Sequence, residues 1–180
     1  MRIVRKSLYI ICGCVIVFAL SGCKSDRRTE VFVMPYTLDF ELQAGLNTLE
    51  THFYRITNVP SVYQAQLDAS GRQDSDIVSI TPKTAELSTV FRDENLDFIR
   101  QVFVRVFDPL DANNINQEVF YLDPVPPNVR TVIHPFPGLA DVKNIASLPL
   151  FGVEVGISLW QVTPKSFDMR LEFELSANAD

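Results

Sequence analysis

Phe167-Asp168-Met169-Arg170-Leu171-Glu172-Phe173-Glu174-Leu175 alternates apolar and polar side chains without a break. In an extended chain successive side chains point to opposite faces, so all five apolar groups share one side; a helix would scatter them around its circumference. The segment therefore reads as a strand with one buried and one wet face, the mark of an antiparallel sheet covering a core. Just upstream, Val153, Val155, Ile157 and Leu159 alternate with Glu154, Gly156, Ser158 and Trp160. Thr163-Pro164-Lys165-Ser166 lies between the two runs and supplies turn residues, so a hairpin is expected there. At the other end of the chain, Phe32, Met34, Tyr36, Leu38, Phe40 and Leu42 alternate with Val33, Pro35, Thr37, Asp39 and Glu41 in the same period of two.

Between these ends further strands are expected at about 49–57, 76–80, 85–91, 98–107, 118–122 and 130–134. Val102, Val104 and Val106 oppose Phe103, Arg105 and Phe107, and a strand apolar on nearly both sides belongs inside a sheet rather than at its edge. Pro82 implies a bulge or a strand switch. Helix signals are few: Ser61 is placed to cap a turn or two through Ala69, and Asp141 another through Ala146. The reading is an all-β chain, a single antiparallel β-sandwich of transthyretin-like or immunoglobulin-like type over 31–180, with at most one or two short helices.

The N-terminus is built differently. Arg2, Arg5 and Lys6 precede an apolar run from Leu8 to Leu20, about 13 residues long where a spanning helix needs about 20. Leu20-Ser21-Gly22-Cys23 closes the run, and this tetrapeptide resembles the lipobox of bacterial lipoproteins. The resemblance implies that residues 1–22 are a signal peptide removed on export and that Cys23 is lipidated and acylated at its new amino group. It also implies that Lys24, which is not Asp, directs the protein toward the outer membrane. Several acyl chains on one residue hold a protein stably, since each buried CH₂ contributes about 0.8 kcal/mol. A polar tether, 23–30, then joins the lipid to the domain; fully extended it reaches only about 25 Å.

This reading fixes the cysteine count and the charge. Of three cysteines, Cys12 and Cys14 leave with the signal peptide, so the domain has no disulfide or thiolate metal site available. Loss of Arg2, Arg5 and Lys6 takes the formal charge from −6 to about −9. An acidic domain without basic stripes excludes a broad nucleic-acid or anionic-lipid surface.

Motifs that carry chemistry are sparse. The sequence contains no Gly-x-Ser-x-Gly elbow, phosphate loop, dinucleotide fingerprint, zinc-protease helix or Cys-x-x-Cys pair. His52 and His134 are the only imidazoles; with Glu50 or Asp123 they would make a two-His, one-carboxylate site, and each also reads as an ordinary strand histidine. Asp111, Asn113 and Glu118 offer oxygens at the spacing of a Ca²⁺ loop, but the glycine such loops use to turn is missing, and Asn and Asp make turns by themselves. No metal or cofactor other than the lipid on Cys23 is therefore expected.

Binding signals are of another kind. Asp123-Pro124-Val125-Pro126-Pro127-Asn128 and His134-Pro135-Phe136-Pro137-Gly138 concentrate proline in two connections, where fixed φ angles stiffen a loop and lower the entropic cost of a contact. Trp160 falls on the polar side of its strand, where an exposed aromatic stacks on a sugar or anchors a protein contact. Trp160, Tyr121, Pro126, Pro127 and Phe136 are accordingly the candidate contact residues. Three roles follow in order. The first is a non-catalytic, lipid-anchored interaction or assembly module that docks another envelope protein, as small lipoproteins with sandwich domains do. The second is a glycan-binding or adhesion domain, which an exposed aromatic patch rimmed by Asn and Asp would favour. The third is an envelope-polymer hydrolase, which needs Glu50, Asp123 and a histidine to converge in one cleft.

Overall fold

The computed structural model describes residues 28–111, 116–128 and 131–180. The signal segment, Cys23, Asn113 and Arg130 lie outside the described residues. Among the described residues nine strands form two antiparallel sheets: β1 (Thr29–Leu42), β2 (His52–Pro60), β3 (Ser79–Thr89), β4 (Ile99–Phe107), β5 (Gln117–Leu122), β6 (Val132–Ile133), β7 (Phe136–Pro137), β8 (Leu150–Leu159) and β9 (Phe167–Ala179). One sheet has the order β1-β9-β3-β6 and the other β2-β8-β4-β5-β7. The all-β antiparallel sandwich expected from the alternating runs is what forms. Its strand order is that of a double-sheet jelly roll: six of the eight connections between consecutive strands cross from one sheet to the other.

The alternating segments do what their period dictates. In β1, Met34, Tyr36 and Leu42 are buried while Pro35, Thr37, Asp39 and Glu41 face solvent. β9 pairs with it along its whole length, Tyr36 opposite Phe173 and Leu38 opposite Leu171. Within the first sheet Tyr36 stacks on Phe173 at 4.9 Å; the two sheets meet where Tyr36 touches Phe151 edge-on at 5.3 Å and Phe120 approaches Phe173 at 6.1 Å. At the β1–β2 side, Phe40 and Tyr54 close the core at 4.8 Å.

Helix α1 (Tyr63–Ser70) and the one-turn helix α2 (Lys143–Ala146) lie in the β2–β3 and β7–β8 connections. The N-caps are Val62 and Val142, one residue beyond the Ser61 and Asp141 expected from the sequence; from that position Ser61 Oγ accepts the Tyr63 N–H at 3.1 Å, and Asp141 Oδ1 accepts the N–H groups of Lys143 and Ile80, both at 3.0 Å. α1 ends on Gly71 at φ 66°, a left-handed position that favours glycine.

Three expectations need correction. The β8–β9 hairpin does not form, because β8 and β9 belong to different sheets. The residues between them cross the sandwich instead: Thr163 accepts the Gly45 N–H through its carbonyl and the Leu46 N–H through Oγ1, both at 2.9 Å, while its hydroxyl donates to the Gln43 carbonyl at 2.7 Å. That tie joins the β8–β9 crossing to the β1–β2 connection. Second, the strands expected at 76–80 and 85–91 are one strand, β3, which bulges against β9 between Pro82 and Thr84; of the two alternatives raised by Pro82, the bulge is realised. Third, β8 has no wet face, for reasons that define the site described next.

Candidate functional site

β8 is buried on both faces from Phe151 to Leu159, although Gly152, Glu154, Gly156 and Ser158 point away from the core. The cover comes from its neighbour β4. Phe103 pairs with Gly156 and Phe107 with Gly152, and each ring lies flat over its glycine. A Cβ added at Gly156 would stand 2.0 Å from the Phe103 ring, and one at Gly152 2.2 Å from Phe107. The glycines are sockets for the two rings, the cross-strand arrangement in which an aromatic compensates for a missing side chain.

Charge locks the rings down. Arg55 on β2 lies over Phe107 at 4.3 Å, and Arg105 on β4 over Phe103 at 4.4 Å. Both guanidinium groups reach the Glu154 carboxylate between them, at 3.6 and 3.5 Å, and Asn116 Nδ2 donates to the same carboxylate at 3.2 Å. Cation–π attraction and ion pairing thus act on the same two arginines, and Glu154 is nearly buried beneath them.

The outer face of the five-stranded sheet is organised in rows across the strands. The aromatic row runs Phe53, Gly156, Phe103, Tyr121, Phe136, each paired with the next in register. Phe53 meets Phe103 edge-on at 5.8 Å. Below it lies the charged row Arg55, Glu154, Arg105, Glu118. Above it a polar row is hydrogen-bonded end to end: Thr51 Oγ1 to Ser158 Oγ at 2.8 Å, Ser158 Oγ to Gln101 Oε1 at 3.1 Å, Gln101 Nε2 to the Tyr121 hydroxyl at 3.5 Å, and that hydroxyl to Asp123 Oδ2 at 3.2 Å. Trp160 follows, with the Arg100 guanidinium 5.8 Å from its ring. The exposures of Phe53 (54%), Tyr121 (39%), Phe136 (68%) and Trp160 (54%) show that much of this apolar surface is open to solvent. The structure therefore gathers Tyr121, Phe136 and Trp160 on one face, with Pro126 and Pro127 exposed in the connection that follows β5.

The outer face of the other sheet is of ordinary solvated type. Asp39 and Arg170 form a two-pronged pair with both contacts at 2.8 Å, which holds the Asp39 carboxyl below its usual range. Arg92 bridges Glu86 and Glu172 at 3.1 and 2.7 Å. A shallow depression of about 450 Å³ lies there, lined in part by Tyr36, Glu86, His134 and Glu172. His134 Nδ1 is 3.7 Å from Glu86, whereas His52 Nε2 bonds the Asn47 carbonyl at 2.8 Å beside the other sheet. Among the described residues neither imidazole bonds Glu50 or Asp123. Asp111 lies before the residues left undescribed, Glu118 faces Arg105 within the sheet, and no group of three or more His, Cys, Asp or Glu side chains among the described residues is placed to hold a metal.

Sequence reasoning missed Phe53, Glu154 and the outward role of Phe103 and Phe107. One signal was present: Phe103 and Phe107 are spaced by four, and so are Gly152 and Gly156, as two antiparallel neighbours require if rings are to fill sockets.

No family model matches the chain, and no curated protein matches it. Among solved structures it is similar to Desmodium yellow mottle tymovirus, at 10% identity over 88% of this chain and 91% of that one with a TM-score of 0.32. It is also similar to turnip yellow mosaic virus, at 9% identity over 81% and 94% with a TM-score of 0.26.

Proposed function

We propose that the protein is a lipid-anchored, non-catalytic assembly module of the bacterial envelope that docks a protein partner through the outer face of its five-stranded sheet. The observation that carries this reading is the aromatic row. Phe53, Tyr121 and Phe136 stand exposed on a surface made rigid by rings seated on glycine and pinned by Arg55, Glu154 and Arg105. Contact surfaces favour such aromatic and arginine anchors held in place before binding, because little side-chain entropy is then lost on association. The lipobox at Cys23 supports the location, and the short tether keeps this face near its membrane. A Cys23→Ala chain should lose its lipid and leave the membrane fraction; an unchanged membrane share would contradict the anchor.

A glycan-binding role is the second reading. The row from Thr51 to Asp123 favours it, since hydroxyl, amide and carboxylate groups lie directly beside the aromatic rings. Cross-linking in intact cells, followed by gentle solubilisation and mass spectrometry, tests the first reading. A near-stoichiometric protein that is lost with Phe53→Asp supports it. Recovery of the chain without any protein partner, together with retention on envelope glycans that Trp160→Ala abolishes, would replace it with the second.

A further inference from the structure

We infer that the occupant of the aromatic face is a second copy of this chain, packed sheet to sheet about a two-fold axis that runs along the strands between β8 and β4. The inference rests on the reading of this face as a protein-docking surface and names its partner. Its basis is the register. A two-fold turn about that axis exchanges β2 with β5 and β8 with β4, so each row of the face meets its own reverse in the second copy. The charged row reads Arg55, Glu154, Arg105, Glu118. Reversed, it sets Arg55 against Glu118 of the second copy and Glu154 against Arg105 of the second copy, opposite charges at every position. The aromatic row sets Phe53 against Tyr121 of the second copy. The same operation brings Trp160 to Arg100 of the second copy, repeating between chains the cation–π contact already present within one. An isologous interface must be self-complementary in this way, and a row of alternating sign on a four-strand set is the simplest pattern that satisfies it.

Charge balance and size agree with this occupant. The chain is acidic overall, yet this face carries Arg55, Arg100 and Arg105 against Glu118, Asp123 and Glu154, so two copies meet without net repulsion. Arg100 has no carboxylate partner among the described residues. The four strands that meet, β2, β8, β4 and β5, have 9, 10, 9 and 6 residues, and at about 4.8 Å between strands they cover roughly 540 Å² per copy, about 1,100 Å² in all, just above the ~1,000 Å² that a specific interface clears.

The test uses the full-length lipidated protein in detergent. Sedimentation equilibrium should give the mass of two chains, and Phe53→Asp should return it to the mass of one. Phe53→Cys and Tyr121→Cys chains produced together should be joined by a short bis-maleimide, while either alone, or the chain with no added cysteine, should not. Within one copy these positions are three strands, about 14 Å, apart. The mass of a single chain at every concentration overturns the inference. If the Phe53→Cys chain then links to a different envelope protein in cells, the docking reading stands without self-association; if it links to nothing, both fall.

Discussion

At the scale of single residues the outer face depends on two absent side chains. Gly156 has a paired neighbour, Phe103, whose ring occupies the space a Cβ would need, at 2.0 Å. Gly156→Ala should therefore lift Phe103 off β8, separate it from Arg105, and cost about 1–3 kcal/mol, as overpacking does; urea unfolding measures it. A second residue-scale prediction concerns Tyr63, a buried ring whose hydroxyl donates to Asp74 at 2.6 Å. The bond, with Lys143 as a further cause, holds the Asp74 carboxyl below its usual range, and burial followed by Asp74 itself pushes the Tyr63 phenol up. A lowered carboxyl adds stability above its ordinary pKa that is lost as pH falls through the folded value. Tyr63→Phe should cost about 1 kcal/mol at neutral pH, less than a fully buried charged hydrogen bond because Asp74 is largely exposed. The gap should narrow below about pH 4. An acid titration of both proteins by circular dichroism reads this directly, and a gap independent of pH would contradict it.

At the scale of elements the informative segment is the crossing from β8 to β9. Thr163 is buried and satisfies both the Leu46 N–H and the Gln43 carbonyl through one hydroxyl. Thr163→Val keeps the shape and strands both groups, so a loss of about 1–3 kcal/mol is expected, with faster hydrogen exchange at Gly45 and Leu46. This segment also shows where reading the chain alone succeeds and where it stops. Period-two runs in β1 and β9 reveal which side chains are buried, because burial of one face is a local property of an extended chain. The turn residues Thr163-Pro164-Lys165-Ser166 reveal only that the chain reverses; whether it returns to its own sheet or crosses to the other depends on which edges the remaining strands have filled. Gly152 and Gly156 mislead for a related reason. In a pattern they count as the wet face, and only the pairing with Phe107 and Phe103 makes them the floor of a buried layer. Trp160 was legible as an exposed aromatic, while Phe53 was not, because no alternation around it fixes which way its strand faces.

At the scale of the whole molecule the two outer faces differ in kind. One carries paired carboxylates and arginines of the sort that keep an acidic domain soluble. The other carries a neutral aromatic lattice on a rigid sheet. Monomeric proteins seldom leave so much contiguous apolar surface in water unless something binds it. Anchorage at Cys23 would confine that face to a shell about one tether length from the membrane, which raises its local concentration toward any partner held on the same surface. On this reading the aromatic face makes a protein contact and the charged face does not. Photo-cross-linking in intact cells separates the two faces, with a reactive residue placed at Tyr121 or, in a separate chain, at Thr37 on the opposite sheet. Discrete protein adducts from Tyr121 and none from Thr37 are predicted; equal labelling from both positions, or adducts from Thr37 alone, would contradict it.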